Sequence, residues 1–247
     1  MRVFKKILLM DLINLYTNPI WLFYSTGFPI ILVLVLGALT AGSYGDTVTF
    51  FDYYGIAMGV YGMFNAATFS ANSFMEERIK SPNMRIVYSP VPSYFIHFSK
   101  TLAAFVFCAV NYTFVSLFLG IAVGVNFGGV NFWAPFVLML LSVFFFSALG
   151  VLVSCIFKSE GITNQILTLL LTILAVLGGI FFPVDGLGKA IAAISWISPA
   201  KWIFTACMQI IYDNDFSLFL PVCIVLILLS GAAVALSCKI FKGEDYI

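Results

Sequence analysis

Apolar residues run along this chain in long stretches, and polar residues are confined to the gaps between them. A helix rises about 1.5 Å per residue, so crossing a hydrocarbon layer takes roughly 20 mostly apolar residues. Six stretches meet that measure: 20–40, 53–74, 101–124, 133–157, 163–183 and 217–238. Ahead of them, Val3 to Tyr16 mixes Arg2, Lys5, Lys6 and Asp11 with Phe4, Ile7, Leu8, Leu12 and Leu15. That mixture predicts a helix lying on the membrane surface, broken from the first span by Asn18-Pro19.

One region departs from the pattern. Residues 184–216 are too apolar for a plain loop, yet Gly186, Gly188, Lys189, Pro199 and Lys201 cut them into short pieces. Pieces of about a dozen residues are too short to cross a bilayer. The expectation is a re-entrant hairpin or interfacial helices, with Trp196, Trp202 and Tyr212 at headgroup level. The fold class is therefore all-α integral membrane, as one domain over residues 1–247.

Composition agrees. Charged residues make up 9% of the chain, against about 25% in soluble domains, and mean hydropathy is +1.07. The N-terminal basic residues do not mark a cleaved leader, because the apolar run behind them is span-length and lacks a small-residue cleavage site. A net charge of +1 offers no nucleic-acid-binding surface. The five cysteines, Cys108, Cys155, Cys207, Cys223 and Cys238, show no metal or redox spacing and read as small hydrophobes.

Charge also sets direction. With both termini in the cytoplasm, Arg2, Lys5, Lys6, Arg78, Lys80, Arg85, Lys100, Lys158, Lys239 and Lys242 face inward. Only Lys189 and Lys201 then face outward, as the positive-inside rule requires.

Some chemistry is excluded. No span carries a mid-membrane ionisable residue of the kind that ion- and proton-coupled carriers use. No G-x-x-x-x-G-K-[ST] phosphate loop occurs, the nearest text being "DGLGKA" at 185–190. The single histidine, His97, is expected at a cytoplasmic membrane edge as an ordinary interfacial residue, and no catalytic constellation is visible. This chain by itself is not expected to be an enzyme, nor to bind a cofactor or a metal.

Two features remain. In the loop 75–100, Glu76, Glu77, Arg78, Lys80 and Arg85 group together in a chain with few charges to place. Ser81-Pro82 reads as a cap and first turn, and Pro90 as a stop, predicting one short helix over 82–88. On it Met84, Val87 and Tyr88 share a face, with Arg85 turned away, as a knob suited to a partner's groove. The second feature is a pair of polar stripes at helical spacing: Tyr61, Asn65, Thr68 and Asn72 in span two, and Asn164, Thr168 and Thr172 in span five. Small residues Gly55, Gly59, Gly62 and Ala66 flank the first. Such stripes serve either a passage or hydrogen bonding between helices.

The sequence resembles the type-2 permeases of ATP-binding-cassette (ABC) exporters. Their second loop commonly reads E-x-x-x-G-T-L-x-x-L-x-x-[TS]-P. Glu77, Ser81-Pro82-Asn83, Ile86 and Ser89-Pro90 occupy the matching places, with Ser-Pro-Asn replacing Gly-Thr-Leu. The block 178–203 is similar to that family's outer segment, with Pro183 and Pro199 at its aromatic-Pro and Ser-Pro steps. The resemblance implies an export permease whose coupling loop docks on a separate ATP-binding-cassette ATPase, with ATP and Mg on that partner. It also implies pairing with a second permease copy or paralogue, in contact with membrane lipids. Motor coupling would fall to Glu77, Arg78, Ser81, Pro82, Met84, Arg85, Val87, Tyr88 and Pro90, with Glu160 as a second contact. The stripes would line the route of an amphipathic drug, peptide or lipid-like cargo. Trp202 would belong to the outer segment. The expected location is the cytoplasmic membrane of a bacterial cell. A motor-free channel or facilitator, and a non-transporting scaffold, are the rival readings of the residues alone.

Overall fold

A computed structural model describes residues 2–40, 48–88, 92, 94–184, 186 and 188–241. Among them there is no strand, and the chain is all-α. The surface helix α1 spans Arg2–Tyr16. Asn18 then caps α2 (Pro19–Leu22), accepting from the Ile20 amide at 3.1 Å, with Pro19 in the first turn. A π turn over Phe23–Gly27 joins α2 to α3 (Phe28–Leu39), so the first span is one nearly continuous run.

Helix α4, Phe50–Met75, is the hub of the bundle. A capping box starts it: Thr49 accepts from the Asp52 amide, and the Asp52 carboxylate accepts from the Thr49 amide. It packs most extensively on α7 (Trp133–Phe157), then on α6 (Tyr94–Ala122), α3 and α8 (Glu160–Leu177). Gly150 of α7 permits the tightest approach, since a Cβ there would lie 2.0 Å from the Ala67 carbonyl oxygen. Helix α11, Phe219–Ile240, closes the bundle against α7.

Among the described residues, five helical stretches are long and apolar enough to cross a membrane: Pro19–Leu39, Tyr94–Ala122, Gly129–Phe157, Glu160–Leu177 and Phe219–Ile240. Helix α4 is long enough, at 26 residues, but less apolar. Its neighbours explain this. Nearly all of α4 faces other helices, so lipid does not demand a uniformly greasy surface of it. A sixth apolar stretch is the pair α9 (Lys189–Ser195) and α10 (Pro199–Met208, running on to Asp213), bent by 98°. Ser198 caps α10 and Pro199 opens it, which forces the bend where a short re-entrant or interfacial pair was expected.

Some boundaries differ from the sequence reading. Span five ends at Leu177 rather than 183, because the chain turns at Gly178 and at Gly179, whose φ is +74°. The helix of span three begins at Tyr94, well before residue 101. Lys201, expected to face outward, is buried.

Candidate functional site

The charged loop does form a helix, but a longer one. Helix α5 runs Glu77–Val87, separated from α4 only by Glu76, whose extended ψ of 132° turns the chain. Ser81 is therefore not its cap and Pro82 does not open it; Pro82 lies in the second turn, with no N–H to give the carbonyl one turn back. The Ile79 amide bonds the Glu76 carbonyl at 2.8 Å, and the Tyr88 amide closes on Met84 at 3.1 Å.

The longer helix changes which face looks inward. Ile79, Asn83 and Ile86 lie on one stripe; Ile79 and Asn83 are buried and Ile86 half-buried. Asn83 Nδ2 donates to the Phe74 carbonyl at 3.3 Å, pinning α5 beneath the last turn of α4. Met84 and Val87 are drawn half inside, against a cluster of Phe74, Met75, Ile96, Val151, Cys155 and Phe241. His97 completes this seat, stacked on Phe74 at 5.4 Å and edge-on to Phe241 at 4.4 Å. Tyr88 stands off the helix end and is 74% exposed. Met84, Val87 and Tyr88 thus do not form one outward face; among the described side chains here, Arg85 and Tyr88 are exposed. The side chains of Glu77, Arg78, Ser81 and Pro82, and all of Pro90, lie outside the described residues. Glu160 begins α8, half-buried and already engaged with a neighbour.

The two polar stripes meet. Asn72 Nδ2 donates to Asn164 Oδ1 at 3.0 Å, and Asn164 Nδ2 donates back to Asn72 Oδ1 at 2.9 Å. This reciprocal amide pair joins the last turn of α4 to the second turn of α8. Beyond it, Tyr61, Phe64, Asn65, Thr68, Thr168 and Thr172 enclose a cavity of about 70 Å³, room for a few waters. Asn65 Nδ2 is buried there and has no hydrogen-bond partner among the described residues. Thr168 and Thr172 also reach the open side of α8, where they line a shallow groove with Asn164, Gln165 and Leu169.

At the opposite end, side chains hold the backbone. Tyr53 donates to the Gly179 carbonyl at 2.6 Å, and Tyr54 to the Phe181 carbonyl at 3.4 Å. Ser198 Oγ donates to Leu174 at 2.6 Å while accepting from the Ala200 amide. Trp202 Nε1 donates to the Trp196 carbonyl at 2.6 Å across the bend. Pro183 is exposed on the chain leading to this segment.

One interaction escaped the sequence reading. Lys100 of α6 is ion-paired with Asp11 of α1, both buried, and Ser99 Oγ donates to the other Asp11 oxygen at 2.9 Å. The signal was present: Asp11 interrupts the stripe Ile7, Asp11, Leu15, whose three members are all buried. A lone acid on the core face of a surface helix demands a buried partner.

The stacked apolar helices fit a multi-pass membrane protein. Residues 2–212 match the family model described as ABC-2 type transporter, and the chain belongs to that family. The family is a transport membrane component and normally works with an ATPase subunit. No curated protein matches this sequence.

Proposed function

We propose that this chain is the permease subunit of an ABC exporter, driven by a separate ATPase that docks on α5. The observation that carries this reading is the attachment of α5. One residue separates it from α4, and Asn83 clamps it to the last turn of that helix. A push on α5 is thereby delivered to the central helix, which runs past the Asn72–Asn164 pair toward Tyr53 and the outer segment. ATP and Mg act on the partner, and both termini of this chain are cytoplasmic, as the distribution of Lys and Arg supports.

The seam between α4 and α8 is the route, closed in this conformation at the amide pair. Its walls are uncharged and partly aromatic, which suits an amphipathic drug, peptide or lipid-like cargo. The open groove on α8, whose exposed lining is mostly apolar, is where a second permease copy or paralogue packs.

Gentle purification from native membranes tests docking. A companion bearing a phosphate loop is expected, and Tyr88→Asp is expected to release it without unfolding the permease; a permease that purifies alone refutes the reading. For the route, Asn65→Leu with Thr168→Leu is expected to lower transport several-fold with assembly intact. Unchanged transport would move the route elsewhere.

A further inference from the structure

A second cavity, of about 460 Å³, lies between α1, α5 and α6, within the roughly 300–1,000 Å³ typical of ligand sites. Its walls are two-sided in character. Ile7 and Met10 of α1 and Ile79 and Ile86 of α5 supply apolar surface, while Lys6 and Arg85 supply charge. The buried Asp11–Lys100 pair forms part of the lining but is internally neutral. Lys6 and Arg85 differ from it: both are exposed, and neither is ion-paired among the described residues. Among the described residues, the cavity therefore carries two positive charges without an ion partner, beside apolar walls.

Its surroundings identify the occupant. On the same helix as Lys6, Leu9, Met10 and Ile13 are each more than two-fifths exposed. An apolar face of that kind on a surface helix is covered by the bilayer, so the cavity opens at headgroup depth beside acyl chains. A soluble anion would use the charges and leave the apolar walls wet.

We propose that the groove between α1 and α5 binds an acidic phospholipid, its phosphate held by Lys6 and Arg85 and its apolar part lying along Met10 and Ile86. The bound lipid bridges the surface helix to the docking helix. It goes beyond the transport assignment, since it requires only that α1 lie on the membrane.

The test is native mass spectrometry of the full chain after incubation with equal amounts of phosphatidylglycerol and phosphatidylcholine. Preferential retention of phosphatidylglycerol is expected. Lys6→Gln and Arg85→Gln are each expected to weaken it about fivefold, from the usual contribution of one basic residue near an anionic surface. Lys189→Gln, on α9, is expected to change nothing. Equal retention of both lipids overturns the proposal, as does undiminished retention by the double variant. Stabilisation by inorganic phosphate alone as large as that by phosphatidylglycerol also overturns it, in favour of a free-anion site. Melting temperature in phosphatidylcholine alone checks the fold of the double variant; if that falls, Lys6→Gln by itself carries the test.

Discussion

The two ends of the bundle are fastened differently. Near α5, beside the Asn83 bond to the Phe74 carbonyl, two links run side chain to side chain: Asp11 to Lys100 and Ser99, and Asn72 to Asn164. Near α10, side chains mostly bond backbone: Tyr53 to Gly179, Tyr54 to Phe181, Ser198 to Leu174 and Trp202 to Trp196. A bond to a carbonyl freezes the path of the chain. A bond between two side chains can open and re-form while both helices stay intact. The contrast sets an end at α10 fastened through its backbone against an end at α5 whose side-chain links can re-form.

The largest break in this comparison comes from the ion pair. Asp11→Ala leaves Lys100 buried and uncompensated, a loss expected at about 3–5 kcal/mol, read as a steep fall in melting temperature. Asp11→Leu with Lys100→Met should recover most of it, because the cost lies in the orphaned charge. Recovery would also show that the pair is replaceable, unlike the backbone fastening opposite.

At the other end, Tyr53→Phe strands the buried Gly179 carbonyl and is expected to cost about 1–3 kcal/mol. Proteolysis or hydrogen exchange should locate the loosening around residues 178–184. Loosening centred on α5 instead would erase the distinction between the ends.

The smallest stability effect is expected at the amide pair. Hydrogen bonds between membrane helices average about 0.6 kcal/mol, so Asn72→Leu with Asn164→Leu should barely shift melting. Its effect on transport should be far larger than on stability. A double-mutant cycle reads the coupling, and equal loss of both properties would make the pair merely structural.

Much of the fold was legible in the sequence because lipid imposes a simple rule: a lipid-facing helix must be apolar for about 20 residues. Spans one, three, four, five and six follow it, with shifts of a few residues at most ends. The bent pair at Ser198-Pro199 was legible too, from the glycines, lysines and proline that cut 184–216 into pieces too short to cross. The polar stripes were readable as stripes, since Asn72 and Asn164 stand out in apolar text. The length of α5 was not, because Ser-Pro is a strong start signal, whereas the chain turns at Glu76 and buries Ile79 in the first turn of a helix that starts at Glu77.

The sequence by itself determined the class of this protein: a chain of 62% hydrophobic residues with span-length apolar runs has no soluble option, and its ordered motifs carry the family. Tertiary structure decided which polar residues meet. Asp11 and Lys100 are 89 residues apart and Asn72 and Asn164 are 92 apart, distances over which no local periodicity speaks. It also decided which side of α5 faces the bundle, because an amphipathic helix displays two faces and only the packing against α4 selects the buried one.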